Sequence, residues 1–168
     1  MTTELSPQEI SSEQAPKGQG KEEKLLTFLC NNHEYGIPIS EAREVIGMMD
    51  IDYVPQTPDC MVGVINLRGK IVPVISLRKR LLIEEVEPTQ ETCIMIVEHN
   101  RMLTGIVVDF LVGVVDIQDA SYKDKPELGD EISHYIKKLA NLDKRVIIIF
   151  EVESLIHFEN SQTNNISQ

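Results

Sequence analysis

The chain contains no tryptophan, and aromatic residues make up only 5% of it. A core must therefore be built from aliphatic side chains, and stacking platforms for nucleic acid bases are scarce. Positive charge is also short, with 16 Lys and Arg against 27 Asp and Glu for a formal net charge of -11. Such a surface repels phosphate backbones, so nucleic acid is a poor partner. No apolar run reaches the roughly 18 residues of a membrane span. The opening residues MTTELSPQEISSEQ lack both the basic start and the apolar stretch of a secretory leader, so a cytoplasmic location is expected.

The motifs of common chemistries are missing too. Cys30, Cys60 and Cys93 form no CxxC pair, and the odd count without an export signal reads as reduced thiols. None of His33, His99, His134 and His157 lies three to five residues from another His or a Cys, so no zinc signature is present and no metal is expected. Glycine-rich phosphate loops and the serine-hydrolase elbow are absent, and no cofactor is expected. Cys30 and Cys93 border apolar strands and read as small buried hydrophobes. An enzyme would have to use Cys60 or His99, and neither has a partnered base in the sequence. Glu84, Glu85 and Glu87 cluster in a Pro-terminated linker and read as a solvated face.

What is present is short β-branched runs bounded by turn residues: Leu25 to Cys30, Tyr35 to Ile39, Lys70 to Leu77, Cys93 to Val97, Leu103 to Asp109, Val112 to Ile117 and Arg145 to Val152. Residues 1–24 hold few apolar positions and are expected to be a flexible tail, as are the polar residues 159–168; residues 25–158 form the folded unit. Asn31-Asn32-His33-Glu34 and Glu98-His99-Asn100-Arg101 each join two runs as hairpin turns.

Those hairpins reveal an internal repeat. A shift of 69 residues lays Gly36 on Gly105, Ile37 on Ile106 and Val45 on Val114. A shift of 75 lays Ile71-Val72-Pro73-Val74-Ile75-Ser76-Leu77 on Val146-Ile147-Ile148-Ile149-Phe150-Glu151-Val152. Each half is hairpin, spacer, strand and short helix, and too small to stand alone, so two β-rich lobes on a shared aliphatic core are expected. Thr57-Pro58-Asp59 carries an N-cap, a Pro at the first helical position and an early acid, which predicts one helical turn before Gly63, with Cys60 near its N-terminus. The spacing of Ile132, Tyr135, Ile136, Leu139 and Leu142 predicts a helix over Glu131 to Leu142.

One motif stands apart. Asn66-Leu67-Arg68-Gly69 places an arginine between Leu and Gly directly before an apolar strand. Arg68 reads either as a hairpin residue whose stem covers apolar surface and whose head pairs with an acid, or as an interface anchor.

Tyr35-Gly36-Ile37, Glu44-Val45, Pro55, Thr57-Pro58, Gly63 to Gly69, Ile71-Val72-Pro73-Val74, Leu77-Arg78, Gly105 to Asp109 and Asp143-Lys144-Arg145 stand in an order and spacing that resembles the CheW family of chemotaxis coupling proteins. The resemblance implies a mainly β fold, two small SH3-like five-stranded barrels sharing an aliphatic core with short helices. It implies a non-catalytic adaptor that couples methyl-accepting chemoreceptors to the histidine kinase CheA, through the regulatory domain of the kinase and the cytoplasmic tips of the receptors. A scaffold of a different chemosensory kinase pathway is the alternative. The resemblance further implies a receptor and kinase groove lined by Ala42, Val45, Asn66, Leu67, Arg68, Gly105, Leu111 and Val114, with Glu44 close to Arg68. For Leu111 and Val114, strand alternation leaves a buried core position equally open. Kinase contact is expected to use exposed apolar residues on the barrel ends, and the chain to be a monomer that enters rings only with its partners. The sequence departs from the family at Ser76, where an Asp is common, and at Lys138, where a Gly is usual. By the same resemblance Tyr135 to Leu139 is a strand, against the helical periodicity, and the strand is the reading adopted.

Overall fold

The computed structural model describes residues 22–118, 121–125 and 129–158. Of the expected tails 1–24 and 159–168, residues 1–21 and 159–168 lie outside the described residues, and residues 22–24 belong to the first strand instead of a tail. Among the described residues eleven strands run in the order β1 (Glu22–Cys30), β2 (His33–Pro38), β3 (Ala42–Gly47), β4 (Met61–Leu67), β5 (Lys70–Ser76), β6 (Cys93–His99), β7 (Met102–Val108), β8 (Phe110–Gln118), β9 (Tyr122–Lys123), β10 (Ile136–Leu142) and β11 (Arg145–Phe150). A 3-10 turn at Ile39–Glu41 separates β2 from β3. Three short helices, α1 (Leu77–Arg80), α2 (Asp130–Ser133) and α3 (Val152–Ile156), follow β5, precede β10 and follow β11.

The strands form two sheets, one of order β8-β1-β2-β11-β10-β9 and one of order β3-β6-β7-β5-β4. The sequence repeat does not coincide with them. In the first sheet the hairpin β1-β2 is flanked by β8 and β11, which come from the second half of the chain. In the second sheet the hairpin β6-β7 is flanked by β3 and β5 from the first half. Each half thus gives its hairpin to one lobe and its remaining strands to the other, which ties the lobes together by chain crossing as well as by packing. Of the four pairings that arise from this exchange, β11 with β2 and β5 with β7 are parallel, while β1 with β8 and β3 with β6 are antiparallel.

The hairpin turns follow from residues that tolerate left-handed backbone. Asn31 and Asn32 have φ of 51° and 65°, and Asn100 and Arg101 have 51° and 66°. Positive φ at both central positions gives the type I′ turn, whose twist matches that of paired strands. The connection from β4 to β5 is of the same kind, with Arg68 at φ 50° and Gly69 at φ 86°. Asn66 holds that turn by accepting the Gly69 N–H on its Oδ1 at 2.8 Å.

Both sheets roll up. Across the first, Glu23 on β1 accepts a hydrogen bond from the Tyr122 hydroxyl of β9 at 2.6 Å and lies 3.7 Å from Lys138 Nζ of β10. Lys138, the departure from the family pattern, therefore has a defined task, and its ammonium also stands 3.5 Å from the Tyr122 ring centroid. In the second sheet the chain beyond β3 returns to β4, where Asp52 and Val64 exchange backbone hydrogen bonds of 2.8 and 2.9 Å. Gly63 permits that approach, because a Cβ there would stand 2.2 Å from the Asp52 carbonyl oxygen and its φ is +148°.

Three apolar clusters result. Leu25, Ile117, Ala140, Ile147 and Ile149 fill the first lobe, and Ile65, Leu67, Val72, Val74, Ile94 and Ile96 fill the second. The largest cluster is shared and takes Phe28, Tyr35, Ile37, Ile75, Leu77, Met95, Ile106, Phe150 and Leu155 from both sheets and two helices. Ser76 caps α1 by accepting the Lys79 N–H at 3.3 Å, and its own hydroxyl donates to Glu85. A serine with a neighbouring glutamate thus supplies a cap and a carboxylate at this position.

The strand adopted over Tyr135 to Leu139 is found: the single turn α2 is followed by strand β10, not by the helix that the spacing over Glu131 to Leu142 predicts. Its apparent 3.6 periodicity arose because apolar positions of a helix, a turn and a strand bulged between Ile136 and Lys138 were read as one series. No helix forms at Thr57-Pro58-Asp59, where one backbone bond from Met61 N to Pro58 O closes a lone turn. The Thr57 hydroxyl donates to the Val54 carbonyl at 3.2 Å instead of capping a helix. β1 also begins at Glu22, three residues before the strand predicted from Leu25.

Candidate functional site

The strand β3 carries site residues on both of its faces. A bulge between Ala42 and Glu44 adds one residue and resets the alternation, so Ala42 and Val45 share a face. Both are half-buried and pack against the shared central core. Glu44 and Ile46 take the opposite face; Ile46 packs into the second-lobe core and Glu44 meets Arg68 in an ion pair. β3 and β4 are the two edges of the second sheet, so this pair joins the edges at the end where the backbone ladder is open. The Arg68 side chain remains 72% exposed, which leaves its guanidinium available to an incoming group.

Glu44, Leu67 and Arg68 border one cavity of about 520 Å³, together with Arg43, Ile96 and Leu103. Its floor is the apolar mouth of the second lobe and its rim is charged. Arg43 pairs in turn with Glu98 at 3.2 Å. The remaining positions divide by role. Leu67 is 8% exposed and belongs to the second-lobe core, with only its edge at the cavity. Asn66 is exposed and supports the turn that presents Arg68. Gly105 is buried in β7, and a Cβ there would stand 2.9 Å from Ile94 Cγ2 and 3.2 Å from Val74 Cγ2. It acts as a spacer that lets β6 and β5 close around it.

Leu111 and Val114 share a face of β8 and differ in depth. Leu111 packs on the central core beside the residues that receive Ala42 and Val45. A bulge at Val112 sets Leu111 opposite Phe28 and Val114 opposite Leu26, so Val114 lies on the same side of this edge strand but stays 54% exposed, with Phe110 and Val112 exposed nearby. Sequence reasoning missed Phe110 and Val112, because the bulge breaks the period of two along β8. It also missed the pair Ile71 and Met102, which are 65% and 68% exposed. Each lies three residues before the Val74 to Gly105 match on the parallel strands β5 and β7, so the two are neighbours at one end of the second lobe. The position equivalent to Ile71 by the repeat, Val146, is 52% exposed at the first lobe.

A bidentate ion pair holds the helical side of the junction. Arg78 of α1 donates from Nε to Asp109 Oδ1 at 3.0 Å and from Nη2 to Oδ2 at 2.7 Å, while the Asn31 N–H donates to Oδ2 at 2.9 Å. Burial raises the Asp109 carboxyl, but the hydrogen bonds from Arg78 and Asn31 and the Arg78 charge outweigh it and hold the group below the usual carboxylate range.

The side chains that an enzyme would need are not set up for chemistry. Burial, with the nearby Asp109 carboxylate, pushes the Cys30 thiol up to about 12. Cys60 and Cys93 are raised by burial as well, although the Arg80 guanidinium partly offsets this at Cys60. Cys60 has no helix N-terminus beneath it, which removes the dipole argument for a thiolate. His99 lies 4.0 Å from Glu41 and 3.8 Å from Glu153, with no nucleophile between them. Among the described residues, no group of three or more His, Cys, Asp and Glu could hold a metal ion, and no helix is long and apolar enough to cross a membrane.

Comparison with known proteins agrees along the whole folded unit. A family model described as a CheW-like domain matches residues 24–160. The probable chemotaxis protein CheW of Rhizobium etli is 30% identical over 86% of this chain and 93% of its own length. Chemotaxis protein CheW of Klebsiella aerogenes is 31% identical over 84% of this chain and 86% of its own. Among solved structures, the scaffolding protein TtCheW from Thermoanaerobacter tengcongensis superposes with a TM-score of 0.78 at 30% identity, covering 84% of this chain and 97% of that one.

Proposed function

The chain belongs to the CheW-like family of chemotaxis scaffold proteins, and on that premise we propose that it couples methyl-accepting chemoreceptors to a CheA-type histidine kinase. It does so in the cytoplasm, by protein contacts alone and without catalysing a reaction. The observation that carries this reading is apolar surface exposed on rigid strands at separate places. Exposed Val114 lies on the same face of β8 as Leu111, which shares the junction with Ala42 and Val45, and Ile71 with Met102 caps the end of the second lobe. Monomeric proteins seldom leave such patches uncovered unless a partner uses them.

The junction, flanked by the Arg68 and Glu44 pair, is the receptor surface. A rod of receptor helices would lay its apolar face on the edge of β8 and be oriented by the exposed guanidinium. The lobe ends are the kinase surfaces. Because a ring needs one patch for each neighbour, the Ile71 end and the Val146 end serve two different contacts.

Pull-down with a CheA regulatory domain and, separately, with a receptor cytoplasmic fragment tests the assignment. Val114→Asp is expected to lose receptor and keep kinase, and Ile71→Asp to lose kinase and keep receptor. Failure of the wild type to bind either protein would remove the coupling reading.

A further inference from the structure

A second trough runs beside the segment that joins α1 to β6, residues 81–92, and reaches the start of β8 at Phe110. Two adjoining hollows of about 130 and 420 Å³ share Arg78, Val86, Thr92 and Asp109. The inner hollow is floored by Met48, Ile51, Val62 and Val107, and the outer one by Leu29 and Phe110. Met48, Val86 and Phe110 expose 36%, 53% and 38% of their surface. Lining the two adjoining hollows together, these three form a patch and not a scatter of single apolar residues.

The rim is of one sign. Glu85 borders the inner hollow, and Glu87 and Glu91 border the outer one, while exposed Glu84 precedes them. Arg78 alone among the described lining residues is cationic, and it is consumed by Asp109 and by the Glu84 carbonyl, to which its Nη1 donates at 2.7 Å. The trough therefore offers apolar floor and uncompensated negative charge.

We propose that this trough docks a cationic segment of a partner protein, with apolar side chains seated against Val86 and Phe110 and Lys or Arg facing Glu87 and Glu91. The charge of the chain selects that occupant. A second copy would bring another net -11, and an anionic membrane or a nucleic acid would meet the same repulsion. A cationic segment meets complementary potential along the full rim. This inference stands independently of the coupling reading, since its test uses neither kinase nor receptor.

The probe is a fluorescein-labelled peptide of alternating Leu and Lys clusters, read by anisotropy against the full chain. Glu87→Lys with Glu91→Lys is expected to weaken binding about tenfold or more, and Val86→Asp to do the same. The control Glu22→Lys with Glu131→Lys changes the net charge equally at exposed positions elsewhere, and is expected to cost less than about threefold. Raising salt from about 50 to about 500 mM should weaken the wild type and leave the Glu87 and Glu91 variant nearly unchanged. Equal losses in the two charge reversals, or no binding by the wild type, would overturn the proposal. So would self-association in sedimentation that Val86→Asp abolishes, because the occupant would then be a second copy.

Discussion

Arg68 and Glu44 close the open end of a rolled sheet: one residue ends the first edge strand's charged face and the other sits in the turn after the opposite edge strand. The contact is held by a strained backbone, since Arg68 has φ 50°, where a non-glycine residue is uncommon. Arg68→Glu is expected to stay folded and monomeric, with a melting temperature within about 4 °C of wild type, because an exposed pair contributes little to stability. Receptor binding should fall about tenfold or more, and the swap Glu44→Arg with Arg68→Glu should recover part of it. Thermal melts and a binding titration on the same samples check both statements. An unfolded Arg68→Glu would make the pair structural.

The other end of the same seam depends on Gly63. Gly63→Ala places a methyl group against the Asp52 carbonyl at a backbone angle that side chains avoid, so the Asp52 and Val64 bridge must open. A loss of about 3 kcal/mol is expected, or roughly 10 °C in melting temperature. Amide exchange should show the loss first at Asp52 and Val64, whose N–H groups bond across the seam. A variant melting with the wild type would mean that the seam is not closed there.

Asp109 gives a pH dependence of defined sign. Its folded carboxyl lies below the usual range, so it stabilises the fold above the unfolded value of about 3.9, and that contribution is lost as pH falls through the folded value. The stability difference between wild type and Asp109→Asn should therefore be flat from about pH 8 to pH 5 and shrink below about pH 4. Denaturant titrations across that range measure it. A difference that grows on acidification would contradict the assignment. At Glu34 burial likewise raises the carboxyl, and hydrogen bonds from Arg145 and Thr27 outweigh it, so this group should add a contribution of the same sign.

The thiols should be inert in the native state. Cys30, Cys60 and Cys93 are all buried, and burial raises each of them. Iodoacetamide at about pH 8 is expected to leave the native chain unlabelled and to label all three after denaturation, as read by mass spectrometry. Rapid native labelling of Cys60 would reopen the enzyme reading.

The hairpins were legible because Asn31-Asn32 and Asn100-Arg101 carry local turn chemistry between β-branched runs, and the repeat was legible because equivalent strands bury equivalent faces. The exchange of strands between halves was not, since pairing partners such as Ile148 and Tyr35 are far apart in sequence and periodicity is silent about them. β3 and β4 escaped the strand reading for a related reason: bulges at Ala42/Glu44 and Met61/Gly63 break the period of two. At β10 the bulge between Ile136 and Lys138 makes the residues read as helical, and only the family resemblance gives the strand. At the site, Arg68 and its acid partner could be argued from residue types and family resemblance. That Leu111 and Val114 share a face needed β8 in place, because its bulged pairing with β1, and not simple alternation, sets which side each takes.

Sedimentation of CheA with receptor cytoplasmic fragments, in the presence and absence of this protein, tests the coupling claim most directly. Wild type is expected to drive kinase and receptor into one fast-sedimenting assembly, with Val114→Asp and Ile71→Asp each failing at the same concentration while remaining folded. Kinase and receptor that sediment separately with wild type present, or an assembly that both variants support as well as wild type, would contradict it.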